Sequence, residues 1–238
     1  MRERWVQYSD GDLALKGYWV EPDGGARRPT VVVVHTFRGL DAGIQNRAAR
    51  LAGAGYAAFA LDVFGPGVLP ADHDTALAAI EPFRRDRPMF RRRLAAGLEA
   101  ARAQPGCDPD RVAAIGYCFG GSAVLEVARS GLPLAGVVSL HGDFETALPA
   151  EPGAVRAKVL ALHGDADPVV KPGAARSFQD EMRRAGADWE FVTYAGAKHS
   201  FTGEGIGSDS DPSAAFDAQA GTRSWARQMS FLAEALGR

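Results

Sequence analysis

The chain has 238 residues, of which 46% are hydrophobic and 24% are charged, and its formal net charge is −2. These values are typical of a soluble globular protein. They give no indication of binding to nucleic acid or to an anionic membrane, which would require a clustered basic surface. The tightest basic run is Arg91-Arg92-Arg93, which we interpret as the solvated face of a helix.

The N-terminus is polar over residues 1–8 and lacks the apolar core of a signal peptide. No stretch reaches the length of a transmembrane helix. The two cysteines, Cys107 and Cys118, are too few for a disulfide scaffold and fit a reducing cytoplasm. Arginine far outnumbers lysine and alanine is abundant, which indicates a GC-rich bacterial genome. We therefore expect a cytoplasmic bacterial protein.

Strand-like and helix-like segments alternate along the chain. The predicted strands are 4–8, 13–20, 31–34, 57–63, 111–117, 134–140, 159–163 and 189–194, and the predicted helices are 44–54, 72–83, 88–103, 120–130, 173–185 and 213–236. This alternation predicts a single α/β domain over residues 1–238, with a mostly parallel sheet and helices on both faces. Ligands of such sheets bind beyond the carboxyl ends of the strands.

One strand end carries a nucleophile pattern. Residues 116–121 read G-Y-C-F-G-G, the cysteine form of the G-x-S-x-G turn between a strand and a helix, and this pattern is typical of an α/β-hydrolase. The turn would hold Cys118 in a strained backbone conformation at the amino end of a helix, where a thiolate is favoured. The alternative is a buried structural cysteine. Cys107 lies in the preceding loop, too far along the strand to pair with Cys118, and is interpreted as structural or incidental.

The acid and the base follow later strands, in the order nucleophile, acid, histidine that such hydrolases use. The segment 162–170 reads L-H-G-D-A-D-P-V-V, and we favour Asp167 as the acid, with Asp165 shaping the turn. His199 follows the last strand and is the candidate base. Three other histidines, His35, His141 and His163, end strands and are expected to be packed and hydrogen-bonded. His73 is expected to be exposed.

These residue types suit acyl transfer. A thiol attacks as the thiolate, His199 can move the proton, and Asp167 would orient and stabilise the imidazolium. The oxyanion needs preorganised donors, for which we expect the backbone N–H groups of Phe119 and Phe37. Candidate residues of the substrate pocket are Thr36, Tyr117, His141 and Phe201.

The motifs resemble the dienelactone hydrolase family over nearly the whole chain. They are G-Y-C-F-G-G at 116–121, L-H-G-D-A-D-P-V-V at 162–170, K-H-S-F at 198–201, G-Y-A-A-F-A-L-D-V-F-G at 55–65, and the terminal helix with Trp225. The resemblance implies a triad of Cys118, Asp167 and His199, hydrolysis of a small-molecule ester or lactone without cofactor or metal, and a monomer.

Two positions depart from the family. Its members often carry a Glu at the position of Thr36, where it helps to control the resting thiol. Dienelactone hydrolases proper also carry an arginine at the position of Gly203. The departure at Gly203 favours the less specialised branch of the family over true dienelactone activity. The missing carboxylate at Thr36 motivates the hypothesis that His199 primes Cys118 directly, as a thiolate–imidazolium pair.

Other functions use the same elements. A thioesterase or another acyl-transfer enzyme could carry the same triad, and the pocket residues would decide. A non-catalytic binding protein on this fold, or a thiol redox sensor at Cys118, are alternatives from other classes. The sensor reading is weakened because no resolving cysteine is near. Residues 82–90 and 203–212 lack clear patterning and are expected to form the pocket rim.

Overall fold

The computed structural model describes residues 1–203 and 213–238. Within these residues, eight strands form one sheet in the order β1-β2-β4-β3-β5-β6-β7-β8. The strands are β1 (Arg2–Asp10), β2 (Leu13–Glu21), β3 (Arg28–Val34), β4 (Ala57–Leu61), β5 (Cys107–Tyr117), β6 (Gly136–Leu140), β7 (Lys158–Gly164) and β8 (Trp189–Tyr194). β2 pairs antiparallel with both of its neighbours, β1 and β4. The remaining pairs, from β4 through β3, β5, β6 and β7 to β8, are parallel.

Helices cover both faces of the sheet. They are α1 (Ala42–Gly53), α2 (His73–Arg85), α3 (Arg87–Arg102), α4 (Phe119–Arg129), α5 (Ala174–Arg184) and α6 (Ala218–Ala235). Leu51 of α1 and Leu232 of α6 pack in the core on one face, whereas Leu94 of α3 and Val124 of α4 pack in the core on the other. The predicted mostly parallel, two-faced α/β sheet is confirmed.

The central strand β3 shows why the sheet must be covered on both sides. Val31 and Val33 belong to the core beside α1 and α6, and Val32 and Val34 belong to the opposite core. Successive side chains of a strand point to opposite faces, so four consecutive valines can be buried only between two helical layers. No helix in the described part of the chain combines the length and apolar character needed to cross a membrane.

The interpretation of the basic run 91–93 as a solvated helix face is wrong. Arg93 is buried, and its Nε donates to Asp10 at 2.7 Å while another of its nitrogens donates to the carbonyl of Val63. The Arg91 side chain, 19% exposed, pairs with the buried Glu126. Arg92 alone of the three has a mostly exposed side chain. The run therefore joins α3 to β1 and α4, a pairing that the local sequence does not reveal.

Two further boundaries differ from the predicted ones. The last helix begins at Ala218 and not at residue 213, because the Asp217 side chain accepts hydrogen bonds from the amides of Gln219 and Ala220 and caps the helix there. Cys107, predicted in a loop, is the buried first residue of β5, opposite Arg28 of β3.

Residues 82–90, which lack clear sequence patterning, form the junction of two helices. They end α2 and begin α3, and Asp86 caps α3 by accepting a hydrogen bond from the amide of Met89. Phe83 and Phe90 are buried against Phe119. This segment therefore contributes side chains to the core beside the turn that carries Cys118.

Candidate active site

Cys118 lies in the tight turn between β5 and α4. Its backbone has φ 56° and ψ −116°, a left-handed conformation that side chains rarely adopt. A Cβ at Gly116 would collide with the backbone of Gly120, and a Cβ at Gly120 would collide with the end of β3. The glycines of the pattern are therefore required for the close packing that puts Cys118 at the carboxyl end of the sheet.

The residues predicted as nucleophile, base and acid are in contact. His199 Nε2 lies 3.1 Å from Cys118 Sγ, and His199 Nδ1 lies 2.8 Å from Asp167 Oδ2. Asp167 and His199 are buried, and Cys118 is half-buried. The second oxygen of Asp167 accepts a hydrogen bond from the amide of Val169, which fixes the carboxylate towards the imidazole.

The electrostatics of this cluster favour a charged pair. Burial raises the pKa of the Cys118 thiol, but the charge and hydrogen bond of His199, together with backbone N–H groups, outweigh it and lower that pKa. Burial lowers the pKa of His199, while the Cys118 thiolate and the Asp167 carboxylate raise it, and the balance brings it to about 10. Both shifts favour the state in which the proton has moved from sulfur to imidazole.

Two backbone amides lie beside the Cys118 sulfur. The backbone N–H groups of Phe119 and Phe37 lie near the Cys118 sulfur and help to lower its pKa. Phe119 is the first residue of α4, so its amide is one of the free donors of that helix. Phe37 lies in the turn after β3, which a short backbone bridge between Thr36 and Gly39 closes. The sequence predicts these two amides as the oxyanion donors, and that role stays a prediction.

His141 supports the nucleophile turn from behind. The amide of Cys118 donates to His141 Nδ1 at 3.1 Å as well as to the carbonyl of Leu140 at 3.0 Å. Since Nδ1 accepts, the ring proton is on Nε2, which lies 2.9 Å from Thr202 Oγ1. Burial, and then the charges of His199 and Arg47, hold the pKa of His141 well below its ordinary value. A neutral His141 therefore stands edge-on to His199, at 5.3 Å between ring centroids.

The two aspartates of the 162–170 segment have different surroundings. Asp167 is buried and contacts His199. Asp165 is exposed, and its side chain accepts a hydrogen bond from the amide of Gly196, so that it ties the turn after β7 to the turn after β8. The structure therefore brings Asp167, and not Asp165, to the imidazole.

The other candidate pocket residues lie in two different places. Thr36 is half-buried, and its hydroxyl accepts a hydrogen bond from the amide of Arg38. Tyr117 is buried on the face of the sheet covered by α1 and α6. Phe201 is fully buried in the same core, against His141 and Tyr194. Tyr117 and Phe201 thus lie in the core on the α1–α6 side of Cys118. Side-chain alternation along β5 places Tyr117 there, and the turn after His199 places Phe201 there.

The remaining histidines lie close to their expected positions. His35 is fully buried, and its Nε2 accepts a hydrogen bond from the amide of Val63. His163 is buried against Phe144, but its Nδ1 has no hydrogen-bond partner among the described residues, which differs from the expected hydrogen bonding. His73 is exposed.

Sequence reasoning missed two parts of this region. Thr202 receives the His141 contact, and an aromatic group of Phe64, Phe83 and Phe90 packs around Phe119. The spacing of the aromatics was visible in the sequence, but their common neighbour was not. Gly203 is buried, and the rest of the 203–212 segment lies outside the described residues.

Comparison with known proteins gives a consistent picture. The model of the dienelactone hydrolase family matches residues 15–236. A crystal structure of a dienelactone hydrolase-like promiscuous phosphotriesterase from metagenomic libraries superposes with a TM-score of 0.92, at 38% identity and 98% coverage of both chains.

Two curated relatives are more distant. A candidate 2-oxo-3-(5-oxofuran-2-ylidene)propanoate lactonase of Bradyrhizobium is 25% identical over 83% of each chain. A candidate carboxymethylenebutenolidase of Methylorubrum extorquens is 27% identical over 80% of this chain and 69% of its own. The family match spans nearly the whole sheet and includes the nucleophile turn. The chain therefore belongs to the dienelactone hydrolase family, with the α/β-hydrolase fold.

Proposed function

We propose that this chain hydrolyses carboxylic esters or lactones through a Cys118-His199-Asp167 triad and a covalent acyl-thioester intermediate. One observation carries the proposal: His199 bridges Cys118 Sγ and the buried Asp167 carboxylate, with 3.1 Å and 2.8 Å to its two ring nitrogens. Membership of a hydrolase family supports the reaction class.

The acylation step follows from this geometry. The Cys118 thiolate attacks the carbonyl carbon, and the oxygen that gains negative charge is stabilised by the N–H groups of Phe119 and Phe37. His199 donates its Nε2 proton to the departing alkoxide as the carbon–oxygen bond breaks. For a lactone the alcohol stays attached to the acyl group.

Deacylation reverses the roles. His199 takes a proton from water, the resulting hydroxide attacks the thioester carbon, and the Cys118 thiolate leaves with the carboxylic acid released. His199 Nδ1–H donates to the Asp167 carboxylate throughout, and this contact stabilises the imidazolium.

The first test measures hydrolysis of p-nitrophenyl acetate and p-nitrophenyl butyrate. We expect turnover by the wild type that falls by ~10³-fold or more in Cys118→Ala and in His199→Ala, because each removes a member of the triad. A panel of lactones and thioesters would then separate a carboxylesterase from a thioesterase.

Two matched pairs control this test. Cys107→Ala removes the other thiol, which is buried at the start of β5, and should retain activity. Asp165→Asn should lose far less activity than Asp167→Asn, because Asp165 does not contact His199. A one-equivalent burst without turnover would favour an acyl-transfer enzyme with another acceptor. Neither burst nor turnover would overturn the proposal in favour of a binding or redox role.

A second candidate function is the hydrolysis of phosphotriesters. The observation that favours it is the 38% identical neighbour that is named a promiscuous phosphotriesterase. The same thiolate and amide donors could serve attack at phosphorus. Diethyl p-nitrophenyl phosphate has the same leaving group as the ester probes, so release of p-nitrophenol that depends on Cys118 would support this activity and its absence would exclude it for that substrate.

A further inference from the structure

A cavity of about 550 Å³, counted with its open mouth, lies between α1 and α6. Tyr117 and Leu140, which end β5 and β6, contribute to its wall, whereas Cys118, Asp167 and His199 do not. The cavity is thus separate from the candidate active site, although one chain of contacts runs between them. Arg47 donates to Thr202, whose hydroxyl meets His141 behind Cys118.

Two guanidinium groups line this cavity without a carboxylate partner. Arg47 lies 3.8 Å over the ring of Tyr117, and Arg50 lies 3.6 Å over the ring of Trp225. Neither forms an ion pair within residues 1–203 and 213–238. One Arg47 nitrogen, Nη2, donates to Thr202. Stacking on a ring leaves the other N–H groups at the edge of each guanidinium available, and those groups match a carboxylate in geometry and charge.

A second observation points to a ligand. Gln228 lines the cavity and is fully buried, and neither its amide nitrogen nor its amide oxygen has a hydrogen-bond partner among the described residues. Buried polar side chains are rarely left without partners. The amide needs one acceptor and one donor, and a single hydroxyl group supplies both.

The rest of the wall is apolar or neutral. Leu140, Phe216 and Trp225 offer apolar surface, and Ser224 offers a hydroxyl whose proton is already donated to the carbonyl of Gly221. An inorganic anion would leave this apolar surface unused, whereas an organic anion would bury its hydrocarbon part there.

We propose that the cavity between α1 and α6 is a binding site for a small organic hydroxycarboxylate. Arg47 and Arg50 bind the carboxylate, the Gln228 amide exchanges two hydrogen bonds with the hydroxyl, and the hydrocarbon part packs on Trp225 and Leu140.

The test uses isothermal titration calorimetry on the full chain alkylated at Cys118 with iodoacetamide, so that binding at the candidate active site is blocked and hydrolysis plays no part. The probe is 4-hydroxybenzoate. We expect it to bind at least about tenfold more tightly than the neutral 4-hydroxybenzamide, which lacks the charge for Arg47 and Arg50, and than benzoate, which lacks the hydroxyl for Gln228. Inorganic phosphate should bind weakly.

Variants separate the two contacts. Arg50→Gln should weaken 4-hydroxybenzoate binding about tenfold, and since Arg50 is exposed this variant should fold. Arg223→Gln is the matched control, because Arg223 is an exposed arginine of α6 that does not line the cavity, and it should leave binding unchanged. Gln228→Met should remove the preference for 4-hydroxybenzoate over benzoate.

Several results would overturn the proposal. They are an absence of binding, equal binding of the acid and the amide, tighter binding of phosphate than of 4-hydroxybenzoate, or an Arg50→Gln variant that binds like the wild type. Because each readout is binding to alkylated protein, failure here is distinguishable from failure of the proposed hydrolysis.

Discussion

Cys118 and His199 differ from an ordinary thiol and an ordinary imidazole because each supplies the charge that stabilises the other. The pKa of Cys118 is lowered and that of His199 is raised to about 10, so the ion pair is favoured between the two values. Thr36 stands where relatives often carry a glutamate, and its hydroxyl is engaged by the amide of Arg38. That His199 holds the thiolate without a carboxylate from this position stays a hypothesis.

This coupling predicts how the reactivity of Cys118 depends on pH. The rate of alkylation by iodoacetamide should reach half of its maximum well below the ordinary thiol pKa of about 8.5, because the thiolate is the reacting form. His199→Ala should move that midpoint to the ordinary value or above, since burial alone raises the pKa of Cys118. Stopped-flow alkylation across pH measures both. A wild-type midpoint near 8.5 would contradict direct priming by His199.

At the scale of elements, the junction of β5 and α4 depends on glycines that leave no room for a side chain. A Cβ at Gly116 would strike the backbone carbonyl of Gly120, which cannot move without displacing the start of α4. A Cβ added at Gly53, at the exposed end of α1, would meet no other atom within 4 Å. The two positions therefore form a natural pair for comparison.

We predict that Gly116→Ala lowers the free energy of unfolding by at least about 3 kcal/mol, or prevents folding, because overpacked backbone must shift. Gly53→Ala should raise it by about 0.5–1 kcal/mol, because alanine reduces the entropy of the unfolded helix segment. Urea unfolding followed by circular dichroism measures both. A stable Gly116→Ala protein would show that the turn has more room than the structure gives it.

The arginines of α3 give a second comparison at this scale. Arg93 and Asp10 are both buried, and the pair ties α3 to the end of β1. Arg92 contacts the same carboxylate from solvent, with 62% of its side chain exposed. Removing Arg93 would leave the buried Asp10 with only the solvent-exposed Arg92, and the carbonyl of Val63 without its donor.

We therefore expect Arg93→Gln to lower the free energy of unfolding by about 3 kcal/mol, as measured by urea unfolding. Arg92→Gln should lower it by less than about 1 kcal/mol, because an exposed pair contributes little. Equal effects of the two substitutions would mean that the buried contact is not what joins α3 to β1.

At the scale of the whole molecule, both edges of the sheet carry charged or polar side chains. The outer strand β1 places Arg2, Arg4 and Gln7 along one edge, and Glu190 of β8 pairs with Arg227 at the other. Charged edge strands discourage pairing with another sheet. The predicted monomer remains a prediction. Sedimentation equilibrium should give the mass of one chain at micromolar concentration, and a concentration-independent dimer would refute it.

Much of the site could be predicted because it follows strand ends in a fixed order. The glycines around Cys118 indicate a tight turn, and Asp167 and His199 follow later parallel strands, so the sheet itself brings them to one edge. The same reasoning left the helix junction at residues 84–87 unassigned and misplaced the start of α6. There, capping by Asp86 and Asp217 and burial of Phe83 and Phe90 decide the local structure.

The sequence by itself determined the layered α/β sheet, the family and the strand-end positions of the reactive residues, because side-chain periodicity and glycine spacing are local properties. The tertiary structure alone decided that Arg93 is buried on Asp10 and that Tyr117 faces the α1–α6 cavity. Each of these depends on which side chain from a distant segment lies opposite, and that is fixed by packing of the whole fold.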